Sequence, residues 1–272
     1  MAVELGRILT SLEALWPIAG AESWDAPGLT TGSEVQAVSK VRFTVDVTST
    51  VVDEAIESGI DLLVAHHPFI MRGVSSVAEN TAKGATLSKA IKADLAIFAA
   101  HTNADIVSGG VSDSIARELG LTEVRPLDNP AAEIGHGRLG MLPEPMTLGD
   151  FARLVARSLP STATGIRVSG DYSRMVYKVA LCGGAGDSFI PAAINSRADV
   201  YLTSDLRHHV TQDVRELNNI DPQSPALIDV SHWASEWLWL NHGAAALRNI
   251  YPELEISVCD LRTDPWDFVI TQ

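Results

Sequence analysis

Cysteine is scarce. The chain has two, Cys182 and Cys259, and neither sits in a Cys-x-x-Cys pair. That excludes a disulfide-stapled scaffold and a thiolate metal site of the usual spacing. Runs of Lys or Arg are also missing, and the formal net charge is −14. Non-specific nucleic-acid binding needs a positive surface that releases phosphate counterions, so no nucleic-acid partner is expected. There is no apolar run long enough to span a bilayer, and the first residues, MAVELGRILTSLEALWP, lack the basic start and apolar stretch of a signal peptide. The expectation is a cytoplasmic protein with no membrane partner. Leu5, Ile8, Leu9, Leu12 and Leu15 fall instead on one side of an amphipathic helix.

What is present is a globular composition. The chain has 272 residues, 46 % hydrophobic and 20 % charged, which leaves room for two domains with sizeable cores. Strand-like and helix-like segments alternate. VRFTVDV (41–47), DLLVAHH (61–67) and LAIFAAHT (95–102) read as strands; 48–59, 83–94 and 111–120 read as helices. Continuous apolar strands between helices predict an α/β fold with mainly parallel sheets covered on both faces. Around 123–146 prolines and glycines accumulate and the periodicity is lost, which places a boundary near 128. A helix at 148–160 follows, and the strand–helix rhythm restarts at 177–209. The last strand is expected back in the first sheet. The predicted division is therefore 1–128 with 226–272, and an inserted, related domain at 129–225. AIESGIDLLVAHH and AINSRADVYLTSDLRHH also echo each other, with Ile56 to Asp61 spaced like Ile194 to Asp199.

Three clusters lie at strand ends or helix starts, the edge where open α/β sheets bind ligands. His66 and His67 close a buried strand, and Pro68 blocks its continuation. His101, Asn103 and Asp105 follow the next buried strand. His232 and Glu236 stand one turn apart on a helix capped by Ser231, beside a stripe of Trp233, Trp237, Leu240, Ala244 and Leu247. Each cluster alone also fits a polar loop or a surface pair. Together they offer nitrogen and carboxylate donors without thiolate, which suits two zinc, manganese or iron ions that keep positions open for water. No His-Glu-x-x-His, Gly-x-Gly-x-x-Gly or P-loop is present. CGGAGDSF (182–189) follows a strand and reads either as a tight turn into a helix or as a phosphate cradle; Cys182 reads as a small buried residue. His208 and His209 mirror the first histidine pair and are candidates to face substrate.

DVTSTVVDEAIESGIDLLVAHHPFIMRG, AAHTNADIVSGGVSD, LCGGAGDSFI, ADVYLTSDLRHH and DVSHWASEWL together resemble the GTP cyclohydrolase 1 type 2 homolog family, the NIF-three-like or YbgI-like dinuclear-metal proteins. The resemblance covers nearly the whole chain in order. It implies an α/β fold of two related domains, a homohexameric ring, and a centre of two divalent ions held by His66, His67, Asp105, His232 and Glu236. Ala26 stands where the family usually has Asn, Ala104 where Leu is usual, and Arg207 where Lys or Ser is frequent. The extra domain of longer members is lacking. The implied activity is metal-dependent hydrolysis of a nucleotide, either ring opening of GTP or phosphoester cleavage. His101 and Glu236 are the catalytic candidates; Gly183, Gly184, His208 and His209 are the substrate-facing ones. A non-enzymatic metal-binding ring or scaffold stands as the alternative.

Overall fold

The computed structural model describes residues 1–271. The chain divides into two compact units. The first takes Met1–Ala104 and Leu240–Thr263; the second takes Asp105–Trp239 and the tail from Asp264. Among the described residues no helix is long and apolar enough to cross a membrane.

In the first unit β1 (Val3–Glu4) leads into α1 (Leu5–Leu15), which buries Leu5, Ile8 and Leu12 as its periodicity requires. β2 (Gly28–Thr31), β3 (Ala37–Val38), β4 (Lys40–Thr44), α2 (Ser49–Glu57), β5 (Leu62–Ala65), α3 (Ala82–Lys92) and β6 (Ala96–Ala99) follow. Thr48 starts α2 by accepting the Val51 N–H on its hydroxyl. β4, β5 and β6 are parallel, and every residue of β5 and β6 is buried. That is the pattern of a sheet covered on both faces. β2 closes one edge antiparallel to β6. One face is filled by Val51, Val52, Ala55, Leu63, Leu95 and Ile97.

α4 (Thr102–Ile106) carries the chain into the second unit. There the order is α5 (Val111–Glu118), β7 (Thr122–Pro126), β8 (Arg138–Thr147), α6 (Leu148–Ser158), β9 (Arg167–Ser169), β10 (Met175–Ala185), α7 (Ile190–Asn195), β11 (Val200–Ser204), α8 (His208–Ile220), β12 (Ala226–Val230) and α9 (His232–Ile250). The sheet runs β7-β8-β10-β11-β12-β9. Its β10, β11 and β12 are parallel, while β7, β8 and β9 are antiparallel. The segment around 123–146 thus holds a hairpin that periodicity does not reveal. Pro143 and Pro145 lie where the β8–β10 register shifts, a place where a missing N–H costs no ladder bond.

α9 returns the chain to the first unit, where β13 (Glu255–Val258) pairs parallel with β4, as expected of the last strand. The unit boundaries fall after Ala104 and Trp239, whereas texture pointed to 128 and 226. Pairing explains the difference: β7 joins β8, and β12 lies beside β11.

The Asp61–Asp199 echo is structural. Asp61 Oδ2 accepts the backbone N–H of Ser39 and Lys40 at 2.7 and 2.9 Å, and Asp199 Oδ2 accepts those of Tyr177 and Lys178 at 2.8 and 2.7 Å. The backbone repeats too. Asp61 N–H donates to Lys40 O and Asp199 N–H to Lys178 O; Ala96 N–H donates to Asp61 O and Ala226 N–H to Asp199 O. Counted from these aspartates, the counterparts of His66 and His67 are Ser204 and Asp205. His208 and His209 begin α8 instead, so they are not the copy of the first pair.

Candidate metal centre

β5 ends at Ala65, but its pairing runs on. His66 N–H and His67 N–H donate to Thr44 O and Val45 O, and Pro68, with no N–H, ends the ladder. His101 follows β6, the next parallel strand. The three imidazoles meet, with ring centroids 5.1 Å (His66–His67), 5.2 Å (His66–His101) and 5.4 Å (His67–His101) apart. One donor atom from each lies within 4.8 Å of the others, close enough to share a metal ion.

Each ring is tied through Nδ1. His66 donates to Ala100 O at 2.9 Å, His67 to Asp46 Oδ1 at 2.7 Å and His101 to Asp25 Oδ1 at 2.8 Å. An oxygen acceptor at Nδ1 fixes a proton there, so that in the neutral ring the lone pair falls on Nε2, the arrangement of metal-binding histidines. The carboxylates are held in turn. Asp46 Oδ2 accepts from Thr263 Oγ1. Asp25 Oδ2 accepts from Thr102 N–H and Oγ1 at 3.0 and 2.5 Å. Burial pushes the Asp25 carboxyl up, but hydrogen bonds from His101 and Thr102 and the His101 charge outweigh it and hold it at about 2. The sequence reading missed Asp25 and Asp46 as site residues. The WDAPGL segment was the available signal for Asp25, whose Oδ1 also accepts the Ala26 backbone N–H at 2.7 Å, a bond that does not depend on the Ala26 side chain.

In the second unit β12 delivers Ser231 and then α9. Ser231 Oγ accepts the Ala234 N–H at 3.3 Å, the expected cap, and donates to Asp264 Oδ1 at 2.5 Å. His232 Nε2 lies 2.9 Å from Glu236 Oε1, one turn on, and His232 Nδ1–H donates to Asp205 Oδ2 at 2.7 Å. The Glu236 charge, with hydrogen bonds to Asp205 and Glu236, overcomes burial and pushes His232 up to about 11. Once the proton between them is lost, imidazole and carboxylate can offer two donors to a cation. Gly184 lets the backbone close in on this pair. Its φ is +66°, and a Cβ there would stand 2.5 Å from Glu236 Oε1 and 3.3 Å from His232 Nε2. Only glycine fits both demands.

The other candidates are placed as follows. β10 continues to Ala185, so CGGA is strand; the tight turn into a helix follows it, as one 3₁₀ turn at Asp187–Phe189 that leads directly into α7. Gly183 N–H donates to Ser112 Oγ, and a Cβ on it would meet Val111. Burial, then the charge of Asp105, pushes the Cys182 thiol up, so it is no nucleophile. Asp105 sits on α4, the end of which is pinned by a residue that the sequence reading passed over. Arg138, buried, pairs with Asp113 and donates to the carbonyls of Ile106, Val107, Gly135 and Gly137. His208 and His209 are exposed on α8, and His208 lines a cleft of about 570 Å³ with Arg167, Arg215 and Asp229. Trp233, Leu240, Ala244 and Leu247 are buried as expected; Trp237 is half-buried and Trp239 is fully buried.

Residues 3–265 match the family described as Duf34/NIF3 (NGG1p interacting factor 3). The chain is 44 % identical over 270 residues to the GTP cyclohydrolase 1 type 2 homolog of Streptomyces coelicolor, covering 96 % of this chain and 93 % of that one. It is 30 % identical to the protein of the same name from Mycobacterium leprae, covering 98 % and 96 %. Among solved structures, a Bacillus cereus protein related to NIF3 superposes with a TM-score of 0.89 at 26 % identity, covering 98 % of this chain and 99 % of that one.

Proposed function

Because the chain belongs to the Duf34/NIF3 (NGG1p interacting factor 3) family, we propose that it binds two divalent ions, zinc, manganese or iron, and is a metal-dependent hydrolase acting on a nucleotide. The ligands in this reading are His66, His67, Asp105, His232 and Glu236. The observation that carries it is the way the histidines are held: His66, His67 and His232 each donate from Nδ1 to an oxygen, which prepares Nε2 for a cation. The donor set is nitrogen and carboxylate without thiolate, which suits these metals. Held by these residues, two such cations would acidify a bound water and polarise a substrate oxygen or ring carbon.

The chain's own groups take the remaining roles. His101, held by Asp25, moves a proton, and Glu236 is its counterpart on α9. Gly183, Gly184, His208 and His209 face substrate. The relatives' printed names point to GTP, opened at its ring; a nucleotide phosphoester would draw on the same metals. The working assembly is a homohexameric ring in the cytoplasm. The same names end in "homolog", which keeps a non-enzymatic metal-binding ring or scaffold as the second reading.

Elemental mass spectrometry on untagged protein tests the metal part. About two transition-metal ions per chain, lost in His67→Ala, are expected; no bound metal, even after zinc or manganese is added, sinks the assignment. Turnover of GTP by the loaded protein, lowered in Glu236→Gln without loss of fold, is expected of the hydrolase. Full metal content with no turnover of any nucleotide moves the conclusion to the ring or scaffold.

A further inference from the structure

The end of the chain presents apolar side chains to solvent. Trp266 is 62 % exposed, Phe268 77 %, Val269 57 % and Ile270 78 %. They occur in DPWDFVIT, which forms neither helix nor strand. Trp266, Phe268 and Ile270 alternate with Asp267, Val269 and Thr271, so in extended form the three largest share one face. The composition is that of a strand, rich in aromatic and β-branched residues, without a sheet.

The second unit carries a matching receptor. A groove of about 410 Å³ is lined by Ala152, Ala156, Leu159, Ile166, Val168 and Ala234. Val168 belongs to β9, the edge of the six-stranded sheet; among the described residues no strand pairs with its outer side. A bare edge beside an apolar groove is the receptor for strand addition, in which backbone bonds give affinity and alternate side chains enter pockets. Ser231 lines the same groove and bonds to Asp264, the root of the arm. The arm therefore starts at the groove, yet its own apolar side chains lie outside it.

We propose that the segment 264–271 is an exchange arm that seats Trp266, Phe268 and Ile270 in this groove on a second copy of the chain, which returns its own arm. Such an exchange is two-fold and closed. Charge agrees, since Asp267 on the arm meets a rim that carries Arg153. Area agrees as well. Phe and Trp each bury about 150–250 Å², so two arms and two grooves reach the roughly 1,200–2,000 Å² of a stable interface. The inference rests on the self-association in the reading above and is independent of its metal chemistry.

Sedimentation equilibrium of the full chain tests it, with Trp266→Ser/Phe268→Ser as the arm variant and Ala156→Arg as the groove variant. All three positions are exposed, so both variants should fold; circular dichroism checks this. Wild type is expected to associate, and each variant to need at least tenfold more protein to do so. Mixing the two variants leaves one intact arm on one intact groove and should recover part of the association. If both variants associate like wild type, or only one is impaired, the exchange is wrong while the ring reading survives. If wild type is monomeric at every concentration, both fall.

Discussion

At the scale of single residues, the roles divide between those that could hold a cation and those that aim them. Asp46 touches His67 and Thr263, and its effect on a metal would pass through the His67 tautomer. Asp46→Asn removes the charge and allows the amide to present its NH₂ to Nδ1. Metal affinity is expected to fall about 10–100-fold, read by competition with a chromophoric chelator, with little change in metal-free unfolding. Unchanged affinity would mean that Asp46 only packs. Gly184 supplies a second test with a built-in control. Gly184→Ala and Gly165→Ala both put a Cβ at positive φ, which costs roughly 1–2 kcal/mol. A Cβ on Gly165 meets nothing within 4 Å, whereas one on Gly184 collides with Glu236. Gly184→Ala should therefore cost more in urea unfolding and also reduce bound metal, and Gly165→Ala should leave metal content alone. Equal effects would remove Gly184 from the site. His66, His67, His232 and Glu236 were legible because they are costly residue types at the ends of apolar runs. Asp25, Asp46 and Asp205 were not. Their histidines lie 76, 21 and 27 positions away, and only the folded chain brings each pair together.

At the scale of elements, the two units share one device. The aspartate that opens β5 and the one that opens β11 each clamp two backbone N–H groups of the neighbouring strand. Hydrogen bonds to a charged group contribute about 1.5–3 kcal/mol each. Asp61→Ala and Asp199→Ala should both destabilise, by similar amounts, in chemical denaturation. A large loss in one and none in the other would mean that the echo no longer has a shared structural use. Arg138 is the opposite kind of residue, present once, at the start of β8. Arg138→Met would leave Asp113 without its buried partner and release the end of α4, at an expected cost of about 3–5 kcal/mol; a loss below 1 kcal/mol would contradict this. The parallel strands were legible because burial on both faces writes a continuous apolar run. The β7–β8 hairpin was not, because prolines and a register shift erase the alternation on which strand reading depends.

For the whole molecule, a −14 chain gains from any cation, so a specific site must be separated from general screening. The two differ in concentration and saturation. Screening requires tens of millimolar salt and depends little on which ion supplies it. A site filled to 100 times its dissociation constant adds roughly 2.7 kcal/mol of stability, because the ion binds only the folded state. For a chain of this size, each kcal/mol moves the unfolding midpoint by about 2–4 °C. Stripping metal with a chelator should therefore lower the midpoint by several degrees. Micromolar zinc or manganese should restore it, and the response should level off near two ions per chain. The His67→Ala protein should lose most of that response while keeping the small shift that sodium chloride gives wild type. If micromolar metal does nothing and salt alone accounts for the gain, the histidine clusters bind no resident ion. The hydrogen bonds from their Nδ1 atoms would then serve the fold alone.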